Sequence, residues 1–537
     1  MCDFHYKTPP IDIEILKTEL LNHPDRSFVD NLIQGLTYGF QTGIHNPPDL
    51  PLECRNLLTA RQSPSIVSSV VQSELDKGYM IGPFNHPPFQ NYRISPIGLV
   101  EKKYSAKKRL IVDLSAPHDS ETNPSINTLI DKEEFSLSYV RIDDAIQIIK
   151  KLGPGSWLCK TDIVDAFKLI PIHPSLWHLY GVKWEDSYYF YTRLTFGCRS
   201  SPKIFDQLSQ AICWIAHHNY GIKFILHLLD DFLTIDSPGS EASRTMALLT
   251  LIFAKLKVPI SPQKTFGPCT VLEYLGILLD TNRMEARLPP DKLQRLRELI
   301  QNYLGKKTCT KRKLLSLLGH LNFACRVVIP GRTFISRLLF ASKSVVKLHH
   351  YVTLNAECRA DLLMWNHLLN HWNGVSLFLE DQLTSAHDIE LFTDASGSIG
   401  YGGYYKGQWF AAPWPQDMTC TSPNISIAFQ EMYPIVVAGI LWGKEWSRKR
   451  ILFRSDNKAT VHIINKGRSN CPLIMKLMRK LVITAAHYNF AFSSEHVPGS
   501  INLIADALSR LQIQKFHQLA PGAHPYPCPI PSEVMFN

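Results

Sequence analysis

Membrane-length apolar runs are missing from this 537-residue sequence: none approaches the roughly 18 to 20 residues that a span needs, so no membrane partner is expected. Closely spaced cysteines are missing as well. The 12 cysteines include no two within four positions, and neither a CxxC pair nor a Cys/His cluster with zinc spacing occurs, which argues against structural zinc and for reduced thiols. The opening MCDFHYKTPP lacks a charged-then-apolar signal, so action in the cytosol is expected, with the nucleus as the alternative compartment. No fixed-period repeat is visible.

What is present is a long, moderately basic chain. At this length one hydrophobic core does not suffice, and two to four domains are expected. Hydrophobic residues make up 45% and charged residues 19%, enough to bury substantial cores. The 57 Lys and Arg against 47 Asp and Glu leave a net charge of +10, which suits a polyanionic partner without identifying one.

Composition and periodicity divide the chain into five stretches. Residues 1–60 mix Pro and Asn with one helical run, IDIEILKTELL, and read as an N-terminal extension, either a leader or a packing segment. Residues 61–280 alternate short strands (RLIVDL, WLCKTDI, KFILHLL) with helices, an α+β pattern. Residues 281–385 are mostly amphipathic helix with basic patches such as KRKLLSLLGHLNFACR, suited to lying along a duplex or to ordinary solvated faces. Residues 386–512 run strand, hairpin, helix, strand, helix, helix, strand, helix, and 513–537 form a Pro-rich tail expected to be disordered.

Acids crown strand ends in the second stretch. In WLCKTDIVDAF the apolar run ends at Asp162, and in KFILHLLDDFLTID two strand-like runs flank Asp230 and Asp231 as in a hairpin. Three carboxylates gathered there need a compensating cation. Two Mg²⁺ ions roughly 3.5 to 4 Å apart would neutralise them and flank an in-line phosphoryl displacement. An isolated Asp-Asp pair is ordinarily only a polar hairpin tip.

The surrounding motifs, however, resemble those of reverse transcriptases, in order, across 61–280. SPIGLVEKKYSAKKRLIVDLS is similar to the fingers motif, TDIVDAF to the first metal motif, LTFGCRSSPKIF to the template-side motif, LLDD to the second metal motif, and QKTFGPCTVLEYLGILLD to the two closing motifs. The resemblance implies a right-hand polymerase of fingers, palm and helical thumb or connection. It implies that Asp162 and Asp230 bind both metals and the triphosphate, with Asp231 as auxiliary acid. Lys103 and Arg109 would hold the triphosphate by charge-assisted hydrogen bonds. Phe167 would set an aromatic ring against the sugar 2′ carbon and so select deoxynucleotides. Gly197 would let backbone approach nucleotide or template, and Lys264 would assist departure of pyrophosphate. Two positions depart from the common pattern: Leu228 stands where an aromatic is usual, and Phe196 where a polar residue often precedes the glycine.

A second set of acids follows. IELFTDASGSIGYGGYYKGQWF reads as a strand ending at Asp394 before a Gly-rich hairpin, and RILFRSDNKATVHIINKG as a strand ending at Asp456 before a helix closed by Gly467. Glu431 and Asp506 fall in helical stretches, and the four could meet at one sheet edge. TDAS, the helix glutamate, SDN and ADALSR resemble the metal-binding acids of ribonuclease H, an α/β domain. That resemblance implies hydrolysis of the RNA strand of an RNA:DNA hybrid with two Mg²⁺ ions, or Mn²⁺ in their place, and recognition through 2′-hydroxyls. Pro434, three residues after Glu431, is expected to kink that helix or shift its start. EHVPGSINLIAD is shorter than the histidine-bearing loop of cellular ribonucleases H, and His496 is not obviously its equivalent.

The wording DLSAPHDSETNPSIN and HVPGSINLIADALSR is most similar to DIRS-type retrotransposons, with gypsy-type elements closely related. The expected partners are an RNA template, a DNA primer, the RNA:DNA hybrid and deoxynucleoside triphosphates, with a recombinase or integrase encoded elsewhere. The alternative is a decayed or domesticated copy that binds hybrid without catalysis.

Overall fold

The computed structural model describes residues 8–47, 50–101, 108–118, 120, 122–371, 375–377, 383–385, 389, 391–419 and 425–535. The chain forms two compact units, Met1–Tyr274 and Leu275–Asn537.

In the first unit the N-terminal stretch is built into the core. The helices Ile13–Glu19 and Arg26–Tyr38 start at Asp12 and Asp25, whose side chains accept from Ile15 N (3.2 Å) and Phe28 N (2.9 Å). Their inward residues Leu16, Leu20, Val29, Leu32 and Leu36 are buried in one apolar cluster with Phe205, Leu208 and Ile212 of the long helix Ser201–His218. The described residues of the 1–60 stretch are therefore a structural part of this unit.

The sheet that carries the acids has four antiparallel strands in the order Phe266–Cys269, Trp157–Asp162, Asp231–Asp236, Ile225–Leu228. The strand Asp231–Asp236 is central. Phe232, Leu233, Thr234 and Ile235 are all essentially inaccessible, the pattern of a strand covered on both faces, with the helix Ala242–Lys255 among its covers. Its register places Asp231 opposite Asp162 and Leu233 opposite Lys160. Because side chains alternate with period two, a slip of one residue would send every acid to the other face. A separate hairpin pairs Ile97–Glu101 with Lys108–Val112, Val100 facing Arg109.

The second unit opens with the strands Ile277–Asp280 and Glu285–Arg287, followed by helices Pro290–Leu304, Lys311–Ala324, Ser336–Ser342 and Ala356–His371. It continues as an α/β domain. Leu391–Ala395, Gly400–Tyr405 and Gln408–Pro413 form an antiparallel meander, while Arg450–Ser455 runs parallel to Ala491–His496. The intervening helices Ile427–Trp442, Lys458–Lys466, Pro472–Tyr488 and Leu503–Ser509 complete the expected order of elements. Gly467 adopts φ +64° at the end of its helix, as its position implied. The helical part is tied to the α/β part by a buried charge network. Arg479 Nη2 lies 3.0 Å from Asp361 Oδ1 and 3.1 Å from Glu357 Oε2, with Arg337 on the same two acids.

Two expectations are corrected. Pro434 does not shift the start of its helix, which begins after Ser426, capped by that side chain, and runs through to Trp442. Eleven of its residues besides Glu431 and Pro434 are buried, so tertiary packing outweighs the missing N–H. The tail is ordered through residue 535. Helix Ile513–Leu519 buries Phe516, and beyond it His524 N donates to Gly407 O (2.7 Å), Trp409 Nε1 to His524 O (2.6 Å) and Cys528 N to Trp409 O (2.6 Å). The prolines lack donors, but the residues between them satisfy the open edge of the meander.

Candidate active sites

The first site grows from the hairpin around Asp230. Leu229 takes φ +54° to make the reversal, and Asp230 follows as the turn residue before Asp231 opens the next strand. Asp162 is brought directly across from Asp231, a like-charged cross-strand pair that is unfavourable by itself. Two ammonium groups offset it. Lys264 Nζ donates to both oxygens of Asp162 (2.8 and 2.9 Å), and Lys160 Nζ lies 3.1 Å from Asp231 Oδ1. Burial, reinforced by Asp162 and Asp231, pushes the Asp230 carboxyl up to about 6. Asp231 is also raised, burial outweighing Lys160. For Lys264, burial acts downward but is overcome by Asp162, and the ammonium is held above its ordinary value. The site is thus an excess of carboxylate in a poorly solvated place, the setting that divalent cations satisfy.

Arg109 comes to this site from the strand Lys108–Val112, its guanidinium carbon 3.5 Å from the centre of the Phe196 ring. Phe196 in turn lies 4.8 Å from Phe167, which also meets Phe205 edge-on at 5.7 Å. Phe167 is buried on a 3₁₀ turn immediately after the Asp162 strand. That turn is clamped on both sides: Asp165 accepts from Lys77 Nζ (2.8 Å) and Tyr79 Oη (3.0 Å), and buried Lys168 pairs with Glu74 (3.4 Å) and lies over Tyr191. Gly197 has φ +93°, and a Cβ there would sit 2.7 Å from the Val112 carbonyl oxygen. Its missing side chain therefore serves a close approach to the neighbouring strand, a use the sequence did not reveal. Lys103 lies outside the described residues.

The second site joins three elements of the α/β domain. Asp394 is at the end of the first meander strand, Asp456 follows the strand Arg450–Ser455, and Glu431 projects from the buried helix. One ligand atom from each lies within 4.8 Å of the other two, and among the described residues this is the one group of three or more such side chains gathered so tightly. The acids of the first site are not drawn together to that degree. Burial, then Asp394 and Asp456, push the Glu431 carboxyl up to about 9. Burial also carries Asp394 up to about 6, against a 2.6 Å hydrogen bond from Ser509 Oγ.

Asp506 stands beside the trio on helix Leu503–Ser509, paired with Arg510 Nε at 2.7 Å. That helix is fixed by Asn502 Nδ2 donating to Thr393 O (2.8 Å) and by Gly402, where a Cβ would fall 2.5 Å from Leu508 Cβ. His496 Nε2 is 3.0 Å from the Asp456 carbonyl oxygen.

Sequence reasoning missed Lys160, Ser509 and Arg510. Each carried a signal: Lys160 is two residues before Asp162 and so shares its strand face, while Ser509 and Arg510 stand three and four residues after Asp506 on a helix.

With that geometry in place, the comparisons place a known domain over the first site. Residues 85–279 match the family model for reverse transcriptase (RNA-dependent DNA polymerase), and the chain contains a reverse transcriptase domain there. Its homologues are retroviral and transposon Pol polyproteins. The Pol polyprotein from transposon 412 of Drosophila melanogaster is 22% identical over 79% of this chain and 32% of its own length. Polyprotein P3 of Commelina yellow mottle virus is 21% identical over 78% and 21%, and the Gag-Pol polyprotein of avian reticuloendotheliosis virus 23% over 46% and 20%. The chain spans between a fifth and a third of these relatives. Solved structures of the foamy viral protease–reverse transcriptase share 15% identity. The complex with double-stranded DNA aligns over 93% of this chain and 84% of that one with a TM-score of 0.49, and the RNA/DNA hybrid complex over 91% and 64% with 0.47.

Proposed function

We propose that this chain is an RNA-directed DNA polymerase coupled to a ribonuclease H, copying a retrotransposon RNA of the DIRS or gypsy kind into DNA. The observation that carries the reading is the register pairing Asp162 with Asp231 beside Asp230, inside a domain that matches the reverse transcriptase model. The bond made joins a primer 3′ oxygen to the α-phosphorus of an incoming deoxynucleotide, and pyrophosphate leaves.

In that scheme Asp162 and Asp230, with Asp231 as auxiliary acid, would hold Mg²⁺, or Mn²⁺, at the first site, and Asp394, Glu431, Asp456 and Asp506 would hold it at the second. The trio's spacing and its raised carboxyl values fit such ions. Bound metal would supply charge stabilisation of the phosphoryl centre and an activated oxygen nucleophile. The side chains do the rest: Arg109 and Lys103 grip the triphosphate, Phe167 closes the space beside the sugar 2′ position, and Lys264 is an ammonium next to Asp162 for the departing pyrophosphate. The partners are RNA template, DNA primer, hybrid and deoxynucleoside triphosphates in the cytosol or nucleus, with integration left to a recombinase or integrase encoded elsewhere.

The test is Mg²⁺-dependent extension of a DNA primer on a labelled RNA template. The parent is expected to extend and to cleave the template, Asp230→Asn to lose extension only, and Asp394→Asn to lose cleavage only. A folded parent that binds hybrid without extending would overturn the polymerase reading in favour of a decayed copy.

A further inference from the structure

We propose that Phe196 is a positioning residue: its ring holds the Arg109 guanidinium flat for the triphosphate and couples that grip to the sugar-facing Phe167. The inference rests on the polymerase reading above and goes beyond it in assigning a role to a residue that departs from the common motif.

Three aromatic rings and one cation form a continuous stack here. Arg109 lies 3.5 Å from the Phe196 centre, Phe196 lies 4.8 Å from Phe167, and Phe167 rests edge-on against buried Phe205. Phe205 belongs to the long helix and is inaccessible, so the stack has a rigid base. Within the stack Phe196 remains 37% exposed, unusual for a ring packed on two sides and consistent with a face left for a ligand. Among the described residues, the buried Arg109 Nη2 has no hydrogen-bond partner, a donor that an incoming anion would satisfy.

The loop is built to deliver this contact. Gly197 presses against the carbonyl of Val112, three residues along the same strand as Arg109, so the loop and the strand that bears the arginine are locked at van der Waals distance. Asn127 Nδ2 donates to Gly197 O (2.8 Å) and Arg199 N donates to Asn127 Oδ1 (2.9 Å), fixing the loop from its far side. A polar side chain at 196 would offer hydrogen bonds to the ligand. Phenylalanine instead gives a planar surface that a guanidinium stacks on and an ammonium does not match. With χ rotation of Arg109 restricted by the ring, less freedom is lost when the triphosphate binds.

The experiment is steady-state incorporation of a single deoxynucleotide on primed RNA with Phe196→Leu, Phe196→Tyr, Arg109→Lys and the double variant Arg109→Lys/Phe196→Leu. Phe196→Leu is expected to raise KM for the nucleotide by roughly twofold to thirtyfold, the span of a cation–π contact, with a smaller change in kcat. Phe196→Tyr should restore the parental KM, and Phe196→Leu should add little once Arg109 is lysine. An unchanged KM in Phe196→Leu, failure of Tyr to rescue, or full additivity in the double variant would each overturn the proposal while leaving the polymerase reading intact. Absence of extension by the parent would overturn both.

Discussion

Replacing the Glu431 carboxyl by an amide is expected to stabilise the metal-free protein, because burial beside two other acids forces that carboxyl to keep its proton at neutral pH when no cation is bound. Glu431 is 6% exposed and its carboxyl rises from 4.5 to about 9 on folding. Below pH 4.5 the group is protonated in both states and costs nothing. Above 4.5 the unfolded chain ionises freely while the folded one retains its proton, so stability falls with each pH unit until about 9. At about 1.4 kcal/mol per unit, the loss accumulated by pH 7 is about 3 kcal/mol. Glu431→Gln removes this liability with little change of shape and, for a unit of this size, should raise the melting temperature in EDTA by about 5 to 10 °C at pH 7. Thermal unfolding between pH 5 and 9, with EDTA or with excess Mg²⁺, reads the effect. The metal-free parent should weaken as pH rises, the variant should weaken less, and Mg²⁺ should stabilise the parent more at pH 8 than at pH 5. A parent that grows more stable from pH 5 to 9 in EDTA, or a variant that melts lower, would refute the reasoning.

Other outcomes follow from the same geometry. Gly197→Ala places a methyl 2.7 Å from the Val112 oxygen at φ +93° and should cost about 2 to 4 kcal/mol, measured by denaturant unfolding; a cost under 0.5 would mean that the loop yields freely. Arg479→Leu leaves Asp361, wholly buried, with Arg337 as its charged partner and should cost about 3 to 5 kcal/mol, whereas replacing Arg479, Asp361 and Glu357 together with apolar residues should recover much of that. Phe167→Val opens the space beside the sugar and should raise ribonucleotide incorporation relative to deoxynucleotide by on the order of tenfold or more; competitive incorporation assays would show an unchanged ratio if the ring does not face the sugar.

Much of both sites was legible because the signals are local. Asp162, Asp394 and Asp456 each end or follow a strand of period-two sequence, and Gly467 closes its helix in the left-handed conformation, all within a dozen residues of chain. The order of elements from 391 to 509 could be read for the same reason. The N-terminal helices and the tail were harder. Neither carries chemistry, and what orders them is distant: the leucines of Ile13–Glu19 and Arg26–Tyr38 enter a core shared with residues near 205, and Cys528 and His524 bond to the strand edge near 408. Pro434 misled as to where its helix starts because local rules count a lost hydrogen bond, while the buried helix around it is held by its neighbours.

By itself, then, the sequence determined which acids stand at strand ends and helix faces and in what order, since propensity, capping and alternation act over a few residues. Only the tertiary structure decided their company. The register that sets Asp162 across from Asp231, the lysines that answer them, the burial that lifts Glu431 and the exclusion of Asp506 from the tight trio all depend on segments tens of residues apart meeting in a poorly solvated place. Desolvation and Coulomb interactions exist only once those segments pack, so no local pattern could carry them.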